Sequence, residues 1–272
     1  MILAQDPENF DTLKRQISRL LSFSCENYTD TFLSRRIDTR LRAKNMNSYK
    51  DYAALLQSDP KEHDALDREL TIHVTHFFRD RSMWDAFQEK IIPYLVDSKL
   101  SKHQTGIRVW SAGCSTGEES YSIVICFMEA LGDRFSEISL RVIGTDYDAA
   151  TVELAKKGSY AEQQLREMDE ACISRYFTKT TESYDIKQEL KRYVTFERGD
   201  VLSSSRPKNV DVIFCRNTVI YFQTEIKTRL YLDFYEMLND NGFFIMGKTE
   251  TLQGEARTLF NPYDPLERVF RK

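Results

Sequence analysis

Arg108-Val-Trp-Ser-Ala-Gly-Cys-Ser-Thr-Gly-Glu-Glu-Ser-Tyr-Ser122 is the stretch whose reading decides the fold. Ile107, Val109 and Trp110 predict a short strand, and Gly113 to Gly117 a tight turn. From Glu118 a helix follows, with apolar residues at Tyr121, Val124, Ile125 and Met128 in a 3.6-residue period. Strand, glycine turn and helix together form the opening unit of an α/β nucleotide-binding fold. Glycines let a ligand approach the backbone, and a helix start offers unpaired N–H groups.

Several readings of that turn compete. Gly113-Cys-Ser-Thr-Gly117 matches the G-x-S-x-G nucleophile elbow, which needs a histidine later in the chain than its serine. His63, His73, His76 and His103 all precede Ser115, which excludes a triad in that order. A dinucleotide site wants G-x-G-x-x-G and free N–H groups for pyrophosphate. Ser115 occupies the middle glycine position, and Glu118 and Glu119 repel phosphate. Two acids at a helix start suit a cationic ligand without phosphate, such as S-adenosylmethionine. A plain strand–turn–helix with a solvated glutamate pair stays open.

The rest of the chain narrows the class. At 272 residues there is room for one large domain or two ordinary ones. A net charge of −4 excludes a generally basic nucleic-acid binder. No run is long enough to cross a bilayer, and the start lacks the charged and apolar regions of a signal peptide. Cys25, Cys114, Cys126, Cys172 and Cys215 are odd in number and contain no C-x-x-C pair. Reduced thiols in a cytoplasmic protein without structural zinc are expected.

Residues 1–90 read as an N-terminal all-helical domain. Its apolar stripes are Phe10, Leu13, Ile17, Leu20 and Leu21; Phe32, Ile37 and Leu41; Tyr49, Tyr52, Ala53 and Leu56; and Leu66, Leu70 and Val74. A helix through Trp84, Phe87, Ile91 and Ile92 leads towards Pro93, and Asp97 to Thr105 reads as a linker. Residues 91–272 then alternate strands and helices. Strands are expected at Leu140–Asp146, Tyr193–Phe196, Val210–Cys215, Gly242–Met246 and Arg268–Arg271. That alternation predicts a parallel, doubly wound, Rossmann-like sheet. Residues 159–192 are too long for a simple connection and read as a small inserted subdomain.

Ligands of such sheets sit at the carboxyl ends of the strands. Here those ends carry the Gly113–Gly117 turn, Asp146, Asp200-Val201 and Arg216-Asn217, with Tyr221 just beyond. Asp146 reads as an acceptor for ribose hydroxyls or as a helix N-cap. Asp200 reads as an acceptor for an adenine amino group or as a turn acid after Gly199.

Thr75-His-Phe-Phe-Arg79, Arg108 to Ser122, Gly144-Thr-Asp146, Phe214-Cys-Arg-Asn-Thr-Val-Ile-Tyr-Phe222 and Gly247-Lys-Thr-Glu250 resemble, in order, the motifs of the CheR family of chemotaxis receptor methyltransferases. The resemblance implies a class I methyltransferase domain behind a helical receptor-recognition domain. It implies methyl transfer from S-adenosylmethionine to glutamates on the cytoplasmic helices of chemoreceptors, leaving S-adenosylhomocysteine, with no metal. By the resemblance His73, Thr75, Arg79, Gly113, Glu119, Asp146, Asp200, Val201, Arg216 and Asn217 hold the cofactor. Arg79 steers the substrate carboxylate, and Tyr221 lies near the transferred methyl. His73 replaces the family's usual asparagine and keeps a ring N–H that can donate. The alternative is a docking protein of the same fold that binds the cofactor without turnover.

Arg35, Arg36, Arg40, Arg42 and Lys44 face only Asp38 within a short stretch of an acidic chain. A basic helix there would steer acidic receptor helices, and Arg36, Arg40 and Arg42 are the expected substrate contacts. The patch lacks the aromatic platform of a nucleic-acid site. Some family members hold a receptor C-terminal pentapeptide on the insert through a glycine-containing loop. Thr178 to Gln188 is short and has no glycine, so no dependence on that peptide is expected.

Overall fold

The computed structural model describes residues 6–21, 23–71, 75–203 and 205–272. The chain divides into two compact units: Met1–Ile72 with Tyr221–Lys227, and His73–Ile220 with Thr228–Lys272.

The first unit is built on α1 (Pro7–Leu21), α2 (Asp30–Ala43), α3 (Tyr49–Ser58) and α4 (Pro60–Leu70). Each of the last three starts where the sequence supplies a cap. The side chains of Thr29, Ser48 and Asp59 accept the N–H groups of Phe32, Asp51 and Lys61, and Pro60 fills a first-turn position that needs no donor. Phe10, Leu13, Ile17, Leu33, Ile37, Leu41, Tyr49, Tyr52, Leu56, Leu66 and Leu70 are buried, so the sequence stripes are the core. The expected extension of the fourth stripe to Val74 lies outside the described residues.

The second unit is a seven-stranded sheet in the order β6-β2-β1-β7-β8-β10-β9. The strands are β1 (Gly106–Ala112), β2 (Ser139–Asp146), β6 (Val194–Arg198), β7 (Val210–Cys215), β8 (Leu238–Met246), β9 (Asn261–Asp264) and β10 (Val269–Arg271). β6, β2, β1, β7 and β8 are parallel, whereas β10 runs antiparallel to both of its neighbours, β8 and β9. Every residue of β7 is buried, which matches the continuous apolar run of a central parallel strand. Around the sheet lie α7 (Glu118–Leu131), α8 (Ala149–Lys157) and α11 (Thr224–Met237).

Three expectations need correction. The boundary read at residue 90 falls instead between Ile72 and His73. The segment after it belongs to the sheet's core, where Trp84 stacks on Phe214 at 5.5 Å and Phe87 meets Phe214 edge-on at 5.0 Å. The helix that leads towards Pro93 also runs past it into the expected linker. α5 (Arg81–Ala86) passes through a π-helical turn, Phe87–Ile91, into α6 (Ile92–Leu100), so residues 97–100 of the expected linker are helical and 101–105 are not. In that wide turn the Ile92 N–H reaches back to the Phe87 carbonyl, and Pro93 then enters in the first turn of α6. Leu95 and Val96, buried beyond the proline, supply the reason to continue. Finally, β9 was not read from the sequence, because Pro262 sits inside it. As the outermost strand it tolerates a residue without an N–H.

The insert forms its own sheet, in the order β3-β5-β4, from β3 (Ser159–Tyr160), β4 (Phe177–Lys179) and β5 (Tyr184–Ile186), with α9 (Glu170–Tyr176) and α10 (Gln188–Lys191). Gly158 at φ +62° ends α8, and a Cβ there would lie 2.5 Å from Ile186. Tyr176 and Arg175 both donate to Glu129 on α7, which anchors the insert to the main body.

Candidate cofactor and methyl-transfer site

The glycine turn closes over the end of β2. Gly113 and Cys114 both donate their N–H groups to the Thr145 carbonyl, at 2.8 and 2.9 Å, and Ser115 donates to Asp146 Oδ2 at 2.8 Å. Those three N–H groups are therefore spent on β2, which removes the cradle a pyrophosphate needs. Gly113, at φ +77°, has no space for a Cβ, which would stand 2.4 Å from Thr218 Oγ1. Ser115 Oγ is buried without a partner, and no histidine approaches it among the described residues.

The two glutamates at the start of α7 part company. Glu118 is fully buried and turned towards the insert, where it accepts from Thr116 Oγ1 and Gln164 Nε2. It is a packing acid, and the expectation of a paired anionic face is corrected to a single residue. Glu119 turns the other way. Ser111 Oγ donates to its Oε1 at 2.8 Å, and Arg216 NH1 stands 3.5 Å from its Oε2. Burial raises the Glu119 carboxyl above the usual range, countered by Arg216, Ser111 and Arg79.

Arg216, at the end of β7, ties the site together. Its NH2 donates to the Arg79 carbonyl at 2.8 Å and to Asp80 Oδ2 at 2.7 Å, and its guanidinium lies 5.6 Å from the Trp84 ring centroid. Its Nε is buried without a partner. The segment that carries Arg79 is pinned elsewhere too. Phe77 N–H donates to the Gln164 carbonyl, Phe78 N–H to Ser122 Oγ, and Trp84 Nε1 to the Arg79 carbonyl. Thr75, at the head of this segment, is half-buried, while His73 lies outside the described residues.

Asp146 accepts from Ser115 on one oxygen and from the Asp148 N–H on the other, at 3.1 Å. The helix N-cap is Asp148, which accepts from Ala150 N–H and Thr151 Oγ1, so Asp146 is not consumed as a cap. Asp200 is exposed and accepts the Leu202 N–H at 2.8 Å, the behaviour of a turn acid, while Val201 beside it is buried. Asn217 takes φ +58°, and Gly247 faces it so closely that a Cβ would stand 2.9 Å from the Asn217 N. Glu250 closes that corner by accepting the Gly247 N–H at 2.6 Å.

Tyr221, Arg36, Arg40 and Arg42 belong to the helical unit. Tyr221 lies against Phe32, with ring centroids 4.6 Å apart, and its carbonyl accepts the Thr29 N–H. Arg40 is half-buried. It makes a bidentate ion pair with the buried Glu62 of α4, and Arg36 reaches Glu69 at 3.2 Å. Arg42 is exposed and bonds the Asp38 carbonyl of its own helix. The sequence analysis did not single out Asp80, Trp84, Ser111 or Gln164 as site residues. Their partners lie in other elements, and only Ser111, at the end of β1, carried a positional signal.

The donor set fits S-adenosylmethionine. Arg216 pairs with Asp80 at 2.7 Å and stands 3.5 Å from Glu119, so the negative charge of an ionised Glu119 is only partly offset. That charge suits a sulfonium and an ammonium offset by one carboxylate. The orphaned Ser115 Oγ and Arg216 Nε mark polar atoms that a ligand or water at this corner would satisfy. A Rossmann-like sheet with its phosphate cradle closed and a half-neutralised acid at the first helix defines the class of S-adenosylmethionine-dependent methyltransferases.

Comparison with known proteins gives the family. Residues 8–71 match the family model described as CheR methyltransferase, all-alpha domain, and residues 73–265 match CheR methyltransferase, SAM binding domain. A chemotaxis protein methyltransferase of Listeria innocua is 31% identical over 242 residues, covering 89% of this chain and 89% of its own. Chemotaxis protein methyltransferase 2 of Pseudomonas aeruginosa is 30% identical over 268 residues, covering 94% of this chain and 93% of its own. The chain belongs to the CheR methyltransferase family and is an S-adenosylmethionine-dependent protein-glutamate O-methyltransferase.

Proposed function

We propose that this chain methylates glutamate side chains on the cytoplasmic helices of chemoreceptors, with the Glu119–Arg216 corner holding the methionine end of the cofactor. The observation that carries the reading is the division of labour at α7: Glu118 is buried against the insert, and Glu119 is left half-neutralised at the strand ends. When bound, S-adenosylmethionine supplies an electrophilic methyl group. Glu119 would accept the cofactor's ammonium group, and Arg79 would attract carboxylate at the same strand ends. By the family resemblance Asp146 would accept from the ribose, and Thr75, Asp200, Val201 and Asn217 would complete the cofactor contacts. His73 would donate from its ring N–H.

A substrate glutamate with a pKa near about 4.3 is ionised at neutral pH, so the chain supplies no general base. Its residues orient the carboxylate and exclude water. Exposed cations of α2, Arg35 and Arg42 foremost, speed encounter with acidic receptor helices. Thr180 to Ser183, the turn between β4 and β5, holds no glycine, which supports methylation independent of a receptor pentapeptide. Receptor substrates of this kind place the enzyme in the cytoplasm. No described helix is long and apolar enough to cross a membrane.

The test is incubation of the chain with methyl-labelled S-adenosylmethionine and a receptor cytoplasmic fragment, with and without its last five residues. Base-labile methyl esters at equal rates on both fragments are expected. Binding of S-adenosylmethionine without ester formation would sink the enzyme reading, and a rate that collapses on truncation would sink peptide independence.

A further inference from the structure

Arg216 serves two carboxylates unequally. Its NH2 is 2.7 Å from Asp80 Oδ2, whereas its NH1 stands 3.5 Å from Glu119 Oε2. The guanidinium is 2% exposed and lies over Trp84, so its position is set by these partners. Asp80 occupies the N-cap position of α5, where an aspartate ordinarily accepts a helix N–H, yet its side chain makes no cap hydrogen bond. Its carboxylate is turned to Arg216 instead, from a backbone at φ +61°. A residue has been placed in a left-handed conformation, with its capping bond forgone, and the gain on the other side is the pair with Arg216.

That pair governs Glu119. A buried guanidinium with a single carboxylate partner closes on it to a short, charge-assisted hydrogen bond. Held by Asp80 and by the Arg79 carbonyl, Arg216 leaves Glu119 with one short bond, from Ser111, and one stretched ion pair. We propose that Asp80 is a positioning residue for the cofactor: as a competing counter-ion it keeps Arg216 off Glu119, leaving that carboxylate open to a ligand ammonium group. The inference rests on the reading of Glu119 as the ammonium acceptor.

The experiment is calorimetric titration of the full chain with two probes, S-adenosylhomocysteine and 5′-methylthioadenosine, which shares the adenosine and thioether but has no amino-acid group. Asp80→Asn is the variant of choice, because asparagine tolerates the left-handed backbone. It should weaken S-adenosylhomocysteine by roughly tenfold, the scale of one charge-assisted hydrogen bond, while 5′-methylthioadenosine stays within about twofold. Asp80→Glu should recover most of the loss. Equal losses for the two ligands would mark a merely structural role and overturn the proposal, as would no loss for either. Glu119→Gln separates the two readings. If it binds S-adenosylhomocysteine normally, the ammonium assignment falls and the role of Asp80 falls with it. If Glu119→Gln discriminates between the probes and Asp80→Asn does not, only the role of Asp80 is lost.

Discussion

Arg40 grips Glu62 through two hydrogen bonds, Nε to Oε1 at 2.8 Å and NH2 to Oε2 at 2.9 Å. Lys44 adds a third cationic contact at 2.9 Å, and Tyr52 donates to Oε1 at 2.8 Å. Part of the basic stretch on α2 is thus internal wiring that fixes α2 to α4, and Arg35 and Arg42 remain exposed.

Removing the acid should therefore unfold, not merely weaken, this corner. Glu62→Ala leaves two cations facing a buried hydroxyl and should cost about 3 kcal/mol in denaturant unfolding, with Glu62→Gln between it and the parent. Burial works to raise the Glu62 carboxyl, but hydrogen bonds from Arg40, Lys44 and Tyr52 win and hold it at about 2. A depressed acid stabilises the fold fully above its unfolded value of 4.5 and loses that contribution as pH falls through about 2. Glu62→Gln should lack that segment of the acid-unfolding curve.

Charge reversal at Arg42 addresses the exposed part. Arg42→Glu should lower kcat/KM for a receptor fragment by about three- to tenfold, mostly at low salt, with S-adenosylhomocysteine affinity unchanged. A loss that persists at high salt would point to a folding defect instead.

Gly113→Ala should fail for a steric reason. The new Cβ would meet Thr218 Oγ1 at 2.4 Å on a backbone at φ +77°. A destabilisation of about 1–3 kcal/mol is expected, with weaker S-adenosylhomocysteine binding. Adding Thr218→Gly should relieve the collision but not the backbone strain, so thermal unfolding should show partial recovery only.

Ligand binding should expel a proton in mildly acidic solution. Burial raises the Glu119 carboxyl, so in the free protein it takes up a proton above the ordinary carboxylate range, and an adjacent ammonium favours its ionised form. A raised acid contributes to stability fully below its unfolded value and loses that contribution as pH rises through the folded one. Affinity runs the other way, and S-adenosylhomocysteine should bind more weakly as pH falls through the folded value. Titrations in buffers of different ionisation enthalpy will read the proton directly, and Glu119→Gln should abolish it.

The sequence by itself determined the local units. Strand, turn and helix from Gly106 to Leu131 were legible because the apolar strand, the two glycines and the apolar helical period follow one another within a few residues. The stripes of α1 to α4 were legible for the same reason. Beyond Pro93 packing decided: buried Leu95 and Val96 carry the helix on into the polar stretch that read as linker, after a π-helical turn. Pro262 hid β9, since only its place at the sheet edge makes a proline strand possible. The charged networks were beyond reach. Arg216 is separated from Asp80 by 136 positions and Arg40 from Glu62 by 22, and no periodicity links them. Sequence showed which charges exist, and the tertiary structure decided which of them neutralise one another and which stay open to a ligand.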